Sequence, residues 1–240
     1  MRTIDVILQA RLDSERLPRK VLALIEGKPL IAHIVERLRL SRYARRIIVA
    51  TTADSYPALS EVLKPYPEVQ FFIGSKPNVL ERYAMAMTFF QSDVVVRATG
   101  DNPLVSPEFM DMAIEYHLEG SADLTHYLGI PLGTGVEVIS RSALETAYRN
   151  AKTDYEKEHV TPFLYKNRDS FTILEPVSTG FYYAPHIRVT VDTYEDLQRV
   201  RRVFKYYTGK PFISMEDIIQ YFNSGHEEEV VMELARVVAL

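Results

Sequence analysis

Apolar and polar positions follow two different periods along this chain, and the changes of period mark its elements. Residues 3–10 form a short run rich in Ile and Val, the pattern of a strand buried on both faces. Residues 46–51, 69–73 and 93–98 repeat that pattern. Helical stripes lie between them. Pro29 opens a helix to about residue 40, with Leu30, Ile31, Ile34, Val35 and Leu38 on one face. Further helices are predicted over residues 57–64, 79–90 and 107–118.

Strands alternating with helices predict an α/β fold, a mostly parallel sheet covered on both sides. Beyond Glu119 the rhythm loosens. Strands are expected at 136–140, 171–175 and 187–191, and helices at 141–151, 155–165, 194–207, 215–222 and 227–238. No internal repeat or low-complexity linker interrupts the chain. The economical reading is one domain over 1–240, with a less regular insertion near 121–180.

Composition narrows the class. The 240 residues are 47% apolar and 25% charged, ordinary for a globular chain. With a net charge of -4, no overall basic field recruits nucleic acid or an anionic membrane. Anion binding must come from a local cluster of cations. The absence of cysteine excludes disulfides and thiolate metal sites and fits a reducing compartment. The apolar runs are too short for a signal peptide or a membrane span, so a cytoplasmic protein is expected.

Cations concentrate in the loop after the first strand, which carries Arg11, Arg16, Arg19 and Lys20, with Ser14 as a hydroxyl donor. A loop leaving the carboxyl end of a parallel strand lies where such sheets bind ligands. Several guanidinium forks are what a triphosphate needs. The loop has neither the GxxxxGK[ST] nor the GxGxxG pattern. By spacing alone, it could equally be a solvated surface.

Carboxylates end two other strands. Asp101 follows Arg97-Ala98-Thr99-Gly100, and Asp192 follows Ile187 to Val191. Hard oxygen ligands of this kind suit Mg²⁺, which takes one or two carboxylates plus substrate phosphates. Each also has a plainer reading: an Asx turn at Asp101, and a capping box from Thr193 to Asp196 beside Asp192. Glu137, after Gly133-Thr134-Gly135, and His159, beside Thr161, offer groups for a substrate carboxylate or hydroxyl. A helical histidine is otherwise a packing or surface residue. Asn78 is expected to cap the helix that carries Glu81 and Arg82.

Several of these segments occur in order. They are Gln9-Ala10-Arg11 with Ser14, Arg16, Leu17, Pro18 and Lys20; Gly74-Ser75 with Leu80, Arg82 and Tyr83; Arg97 with Thr99-Gly100-Asp101-Asn102-Pro103-Leu104; Glu158-His159-Val160-Thr161-Pro162; and Val191-Asp192-Thr193 with Glu195-Asp196-Leu197. The set resembles the sugar cytidylyltransferases, which include the CMP-Kdo and CMP-sialic acid synthetases, and matches the spore coat polysaccharide branch more closely.

The resemblance implies a nucleotide-diphospho-sugar transferase fold, a three-layer α/β/α sandwich. It implies transfer of CMP from CTP to a sugar or sugar acid with release of pyrophosphate. It also implies Mg²⁺ and a homodimer built partly by the 121–180 insertion. By the same resemblance Ala10, Arg11, Ser14, Arg16 and Lys20 bind the nucleotide, and Arg82 and Thr99 lie near its base or ribose. The resemblance also implies that Asp101 and Asp192 hold the metal; Arg16, Lys20 and Asp101 are expected to carry the chemistry, and Glu137 and His159, read from their own segments, are expected at the acceptor. The loop departs from the family at Arg19, where glycine is usual, and at Glu15, where threonine is favoured. Two rivals are a glycosyltransferase of related architecture and a non-catalytic nucleotide-binding partner.

Overall fold

A computed structural model describes residues 2–226. The helix expected at 227–238 lies outside the described residues. Strand β1 (Ile4–Gln9) runs through the middle of a seven-stranded sheet. A small hairpin, β2 (Leu24–Ile25) and β3 (Lys28–Pro29), leads into helix α1 (Leu30–Leu38). There follow β4 (Arg46–Thr51), α2 (Tyr56–Val62), β5 (Gln70–Ile73), α3 (Val79–Phe90) and β6 (Val94–Thr99). Next come α4 (Pro107–Glu119), β7 (Leu124–His126), β8 (Glu137–Ser140) and α5 (Arg141–Asn150). The described chain closes with α6 (Asp154–His159), α7 (Pro162–Lys166), β9 (Ile173–Leu174), α8 (Tyr194–Tyr206) and α9 (Met215–Asn223).

The sheet order is β5-β4-β1-β6-β8-β7-β9. β8 runs antiparallel to both its neighbours, and every other pairing in the sheet is parallel. The mostly parallel sheet read from the sequence is therefore present. Alternation along the strands builds two separate cores. Val6 and Leu8 of β1 face α1, α4, α8 and α9, whereas Ile7 faces α3 and α5 with Val160 and Leu164. That division is the three-layer sandwich.

The later elements needed correction. Residues 187–191 do not join the main sheet. Ile187, Val189 and Val191 are buried with the period of a strand, but among the described residues the segment's β-bridge is an isolated one, to the loop at Leu132. Gly133 permits this contact: a Cβ there would stand 2.5 Å from the backbone nitrogen of Thr190. Strand β7 was missed because three residues carry too little pattern.

The helix expected over 155–165 is two helices. Pro162 cannot continue the first because it lacks a donor, and it opens the second. Val160 stands between them at φ 73°, ψ -58°, and Thr161 N donates to the His159 carbonyl at 2.9 Å. This is a γ-turn of the strained kind, rare for a β-branched residue.

Candidate active site

The chain leaves β1 toward β4 on one side, while β6 lies on the other, so the loops after β1 and β6 diverge. Open parallel sheets bind ligands in the crevice at such a switch point. Here the crevice is a cleft of about 440 Å³. Ala10, Arg11, Ser14, Arg16, Lys20, Thr99, Asp101, His159 and Asp192, all singled out in the sequence, line it.

Backbone geometry brings them together. Gly100 N donates to the Gln9 carbonyl at 2.8 Å, and a Cβ on Gly100 would meet that carbonyl and Val21 at 3.0 Å. A side chain there would have to push the two loops apart by a few tenths of an ångström. Arg19 adopts φ 59°, ψ 24°, a left-handed conformation, and its N–H reaches back to the Leu12 carbonyl at 2.8 Å. The 3-10 turn Lys20–Leu22 starts there and aims Lys20 into the cleft. The position where the resembling family keeps glycine is thus one that glycine occupies without strain.

Asp192 arrives from far along the chain. Val191 N donates to the Asp101 carbonyl at 2.8 Å, so the two aspartates share one end of the sheet. Both converge on the Lys20 ammonium, at 3.1 Å for Asp192 and 3.5 Å for Asp101. Asp192 also meets Arg16 at 3.0 Å and Arg188 at 2.7 Å. Burial raises the Asp192 pKa, but the Lys20 hydrogen bond and the charges of Lys20, Arg16 and Arg188 outweigh it, holding the carboxyl below the usual aspartate value. Thr99 Oγ1 donates to Asp101 at 2.5 Å and orients it. The capping box at Thr193 is also present, so both readings of that acidic pattern hold together.

Two singled-out residues lie elsewhere. Arg82 is fully buried beside the cleft and does not line it; its Nη1 donates to the Ser75 carbonyl at 2.6 Å. Glu137 lies behind the cleft, on the wall of a second cavity. His159 is exposed at the cleft and packs on Tyr155. Sequence reasoning missed Gln9, Glu158 and Arg97 as lining residues. Arg97 had a signal, a lone charge within an otherwise apolar strand, since buried charges are rare unless paired.

The donor chemistry of Asp101 and Asp192 fits a hard divalent cation. Their carboxylates already converge on one cationic group, and their oxygens are the ligands Mg²⁺ prefers. Among the described residues no group of three or more His, Cys, Asp or Glu could hold a metal by itself. Phosphate oxygens and water would complete the shell.

The profile of the cytidylyltransferase family matches residues 6–233. The chain belongs to that family. It is a nucleotidyltransferase, which decides against the glycosyltransferase and the non-catalytic partner. Spore coat polysaccharide biosynthesis protein SpsF of Bacillus subtilis is 30% identical over 93% of this chain and 95% of its own length. An uncharacterised protein of Methanocaldococcus jannaschii is 37% identical over 84% of this chain and 83% of its own. A 3-deoxy-manno-octulosonate cytidylyltransferase of Chlorobium luteolum is 40% identical over 49% of this chain and 46% of its own. Among solved structures, a cytidylyltransferase from Leptospira borgpetersenii superposes with TM-score 0.88, at 26% identity, over 95% of this chain and 96% of its own. The nucleotide-diphospho-sugar transferase fold of the cytidylyltransferase is thereby shown.

Proposed function

We propose that this cytidylyltransferase moves CMP from CTP to a hydroxyl of a sugar or sugar acid, with pyrophosphate leaving, in a Mg²⁺-dependent reaction. The observation that carries this reading is the Lys20 ammonium held between Asp101 and Asp192 at the floor of a cation-lined cleft. In the free protein each cleft cation sits on a carboxylate: Arg11 on Glu158, Arg16 on Asp192, Lys20 on both aspartates. An incoming triphosphate offers these cations a stronger anion. Arg16 is exposed and free to swing onto the outer phosphates, while Lys20, largely buried, stays as the fixed charge. Preorganised cations of this kind stabilise charge that develops on a departing pyrophosphate.

Asp101 and Asp192 would hold Mg²⁺, which when bound supplies charge neutralisation at the phosphates. Arg82 and Thr99 would lie toward base and ribose, and the Ala10 backbone against the nucleotide. The similarity to SpsF supports a place in surface polysaccharide assembly. Exposed apolar side chains in and beside the 121–180 insertion, among them Leu132, Val177 and Phe181, support a homodimer through that region. A pyrophosphate-release assay with CTP, Mg²⁺ and a sugar panel tests the reading. Release with another triphosphate and not with CTP would overturn it.

A further inference from the structure

We propose that Lys20 is a gate on the metal site. Its ammonium, with Arg16, occupies the carboxylates of Asp101 and Asp192 until a nucleoside triphosphate arrives, so the nucleotide binds first and the divalent cation follows it. The inference rests on the reading of the cleft as a triphosphate and metal site.

Every oxygen of the two carboxylates is engaged in the free protein. Asp101 Oδ1 accepts from Thr99 Oγ1 at 2.5 Å, and Asp101 Oδ2 faces the Lys20 ammonium at 3.5 Å. Asp192 Oδ1 takes Lys20 at 3.1 Å and Arg16 Nη2 at 3.0 Å, and Asp192 Oδ2 takes Arg188 Nη2 at 2.7 Å. A hard divalent cation needs those same lone pairs. It must displace a hydrogen-bonded partner before it can bind.

Charge sets the same order. Two carboxylates face three cations, of which Arg188 is shared with Asp196 at 3.5 Å. The aspartates are already neutralised, and a free divalent ion meets Lys20 and Arg16 as like charges. Burial strengthens the effect at Lys20. Its side chain is 13% exposed, against 65% for Arg16, so water and salt screen its charge poorly. The Val191 carbonyl anchors the same ammonium at 2.9 Å. Lys20 is the firm part of the gate and Arg16 the loose part.

A triphosphate reverses this balance. It brings several negative charges into the cleft that Arg11, Arg16 and Lys20 line. Arg16 leaves Asp192 for them, and the Lys20 ammonium turns toward them from the cleft floor. Asp192 Oδ1 and Asp101 Oδ2 are then released beside phosphate oxygens, which complete the shell of a hard cation. One side chain decides this order. Without Lys20 the aspartates are a part-buried, under-compensated pair, and such a pair attracts a cation with no nucleotide present.

The test is Mn²⁺ titration of the full chain without nucleotide, followed by the spin resonance signal that the ion loses when it binds. Lys20→Met should tighten Mn²⁺ binding on the order of tenfold or more relative to wild type, and Arg16→Gln, at an exposed position, by about two- to fivefold. Lys20→Met combined with Asp192→Asn should lose the gain, because the ion then lacks its carboxylate. Thermal midpoints confirm that each variant is folded. Calorimetry with α,β-methylene-CTP, which cannot be cleaved at that bond, reads the order: the wild type should bind it in EDTA. Mn²⁺ affinity within about twofold of wild type in a folded Lys20→Met, or in Arg16→Gln where Lys20→Met does not fold, would overturn the gate. So would a gain that survives Asp192→Asn, or an analogue that binds only with metal. An analogue that binds neither with metal nor without it would overturn the nucleotide reading itself.

Discussion

The Lys20 ammonium donates a 3.1 Å hydrogen bond to Asp192, a carboxylate 172 residues further along the chain. The contact joins the cation-rich loop after β1 to the extended segment before α8, and Asp101 completes it from β6. Three remote stretches thus share one charged centre. In the proposed function, the cation would serve outgoing phosphates and the carboxylates a metal, and in the free protein the three side chains hold one another in place.

Lys20→Met removes the fixed cation. Pyrophosphate release is expected to fall about 100-fold or more, on the scale of losing a preorganised charge-stabilising donor. The fold should persist, because Arg16 and Arg188 still compensate Asp192. Steady-state kinetics with circular dichroism checks both; activity within a few fold of wild type would remove Lys20 from the chemistry.

Asp101→Asn and Asp192→Asn keep size and lose charge. The Mg²⁺ concentration giving half-maximal activity should rise about tenfold or more in each, and chelation should abolish activity of the wild type. A Mg²⁺ titration of pyrophosphate release measures this. An unchanged midpoint in both variants would place the metal elsewhere.

Arg19→Gly restores the residue that the left-handed backbone favours. Relief of a strain of about 1–2 kcal/mol is partly offset by the entropy glycine loses on folding, about 0.5–1 kcal/mol. A net gain of up to about 1 kcal/mol is expected, a rise in Tm of roughly 2–4 °C, with the KM for CTP unchanged within about twofold. A fall in Tm would show that Arg19 contributes a contact of its own.

His117 is buried, and burial lowers its pKa to about 4 from the usual 6.5. The unfolded chain binds this proton first, so the contribution is intact above pH 6.5 and is lost as pH falls toward 4. Stability should decline across that window, and His117→Gln should flatten the decline. Denaturant midpoints at intervals of pH measure it; parallel curves for both proteins would sink the assignment.

Leu132 and Phe181 are large and exposed, at 54% and 48%. If the insertion mediates the homodimer, Leu132→Glu with Phe181→Glu should convert a dimer to a monomer in light scattering, with CTP affinity retained. A wild-type monomer at working concentrations would remove the dimer from the picture.

Much was legible along the chain because burial on both faces imposes local patterns. The runs at β1, β4 and β6 carry them, as do the stripe on α1 and the caps at Asn78 and Thr193. The cation cluster from Arg11 to Lys20 could be read the same way. Other features depend on partners distant in the sequence. The pattern at 187–191 is strand-like, yet its partner is a loop held close by Gly133. Arg97 is one charge in an apolar run until β8 sets Glu137 opposite it. Above all, nothing local tells a solvated loop from a phosphate site. Only the tertiary structure brings Asp101 and Asp192 to Lys20, because electrostatic coupling depends on distance through space and periodicity describes only order along the chain.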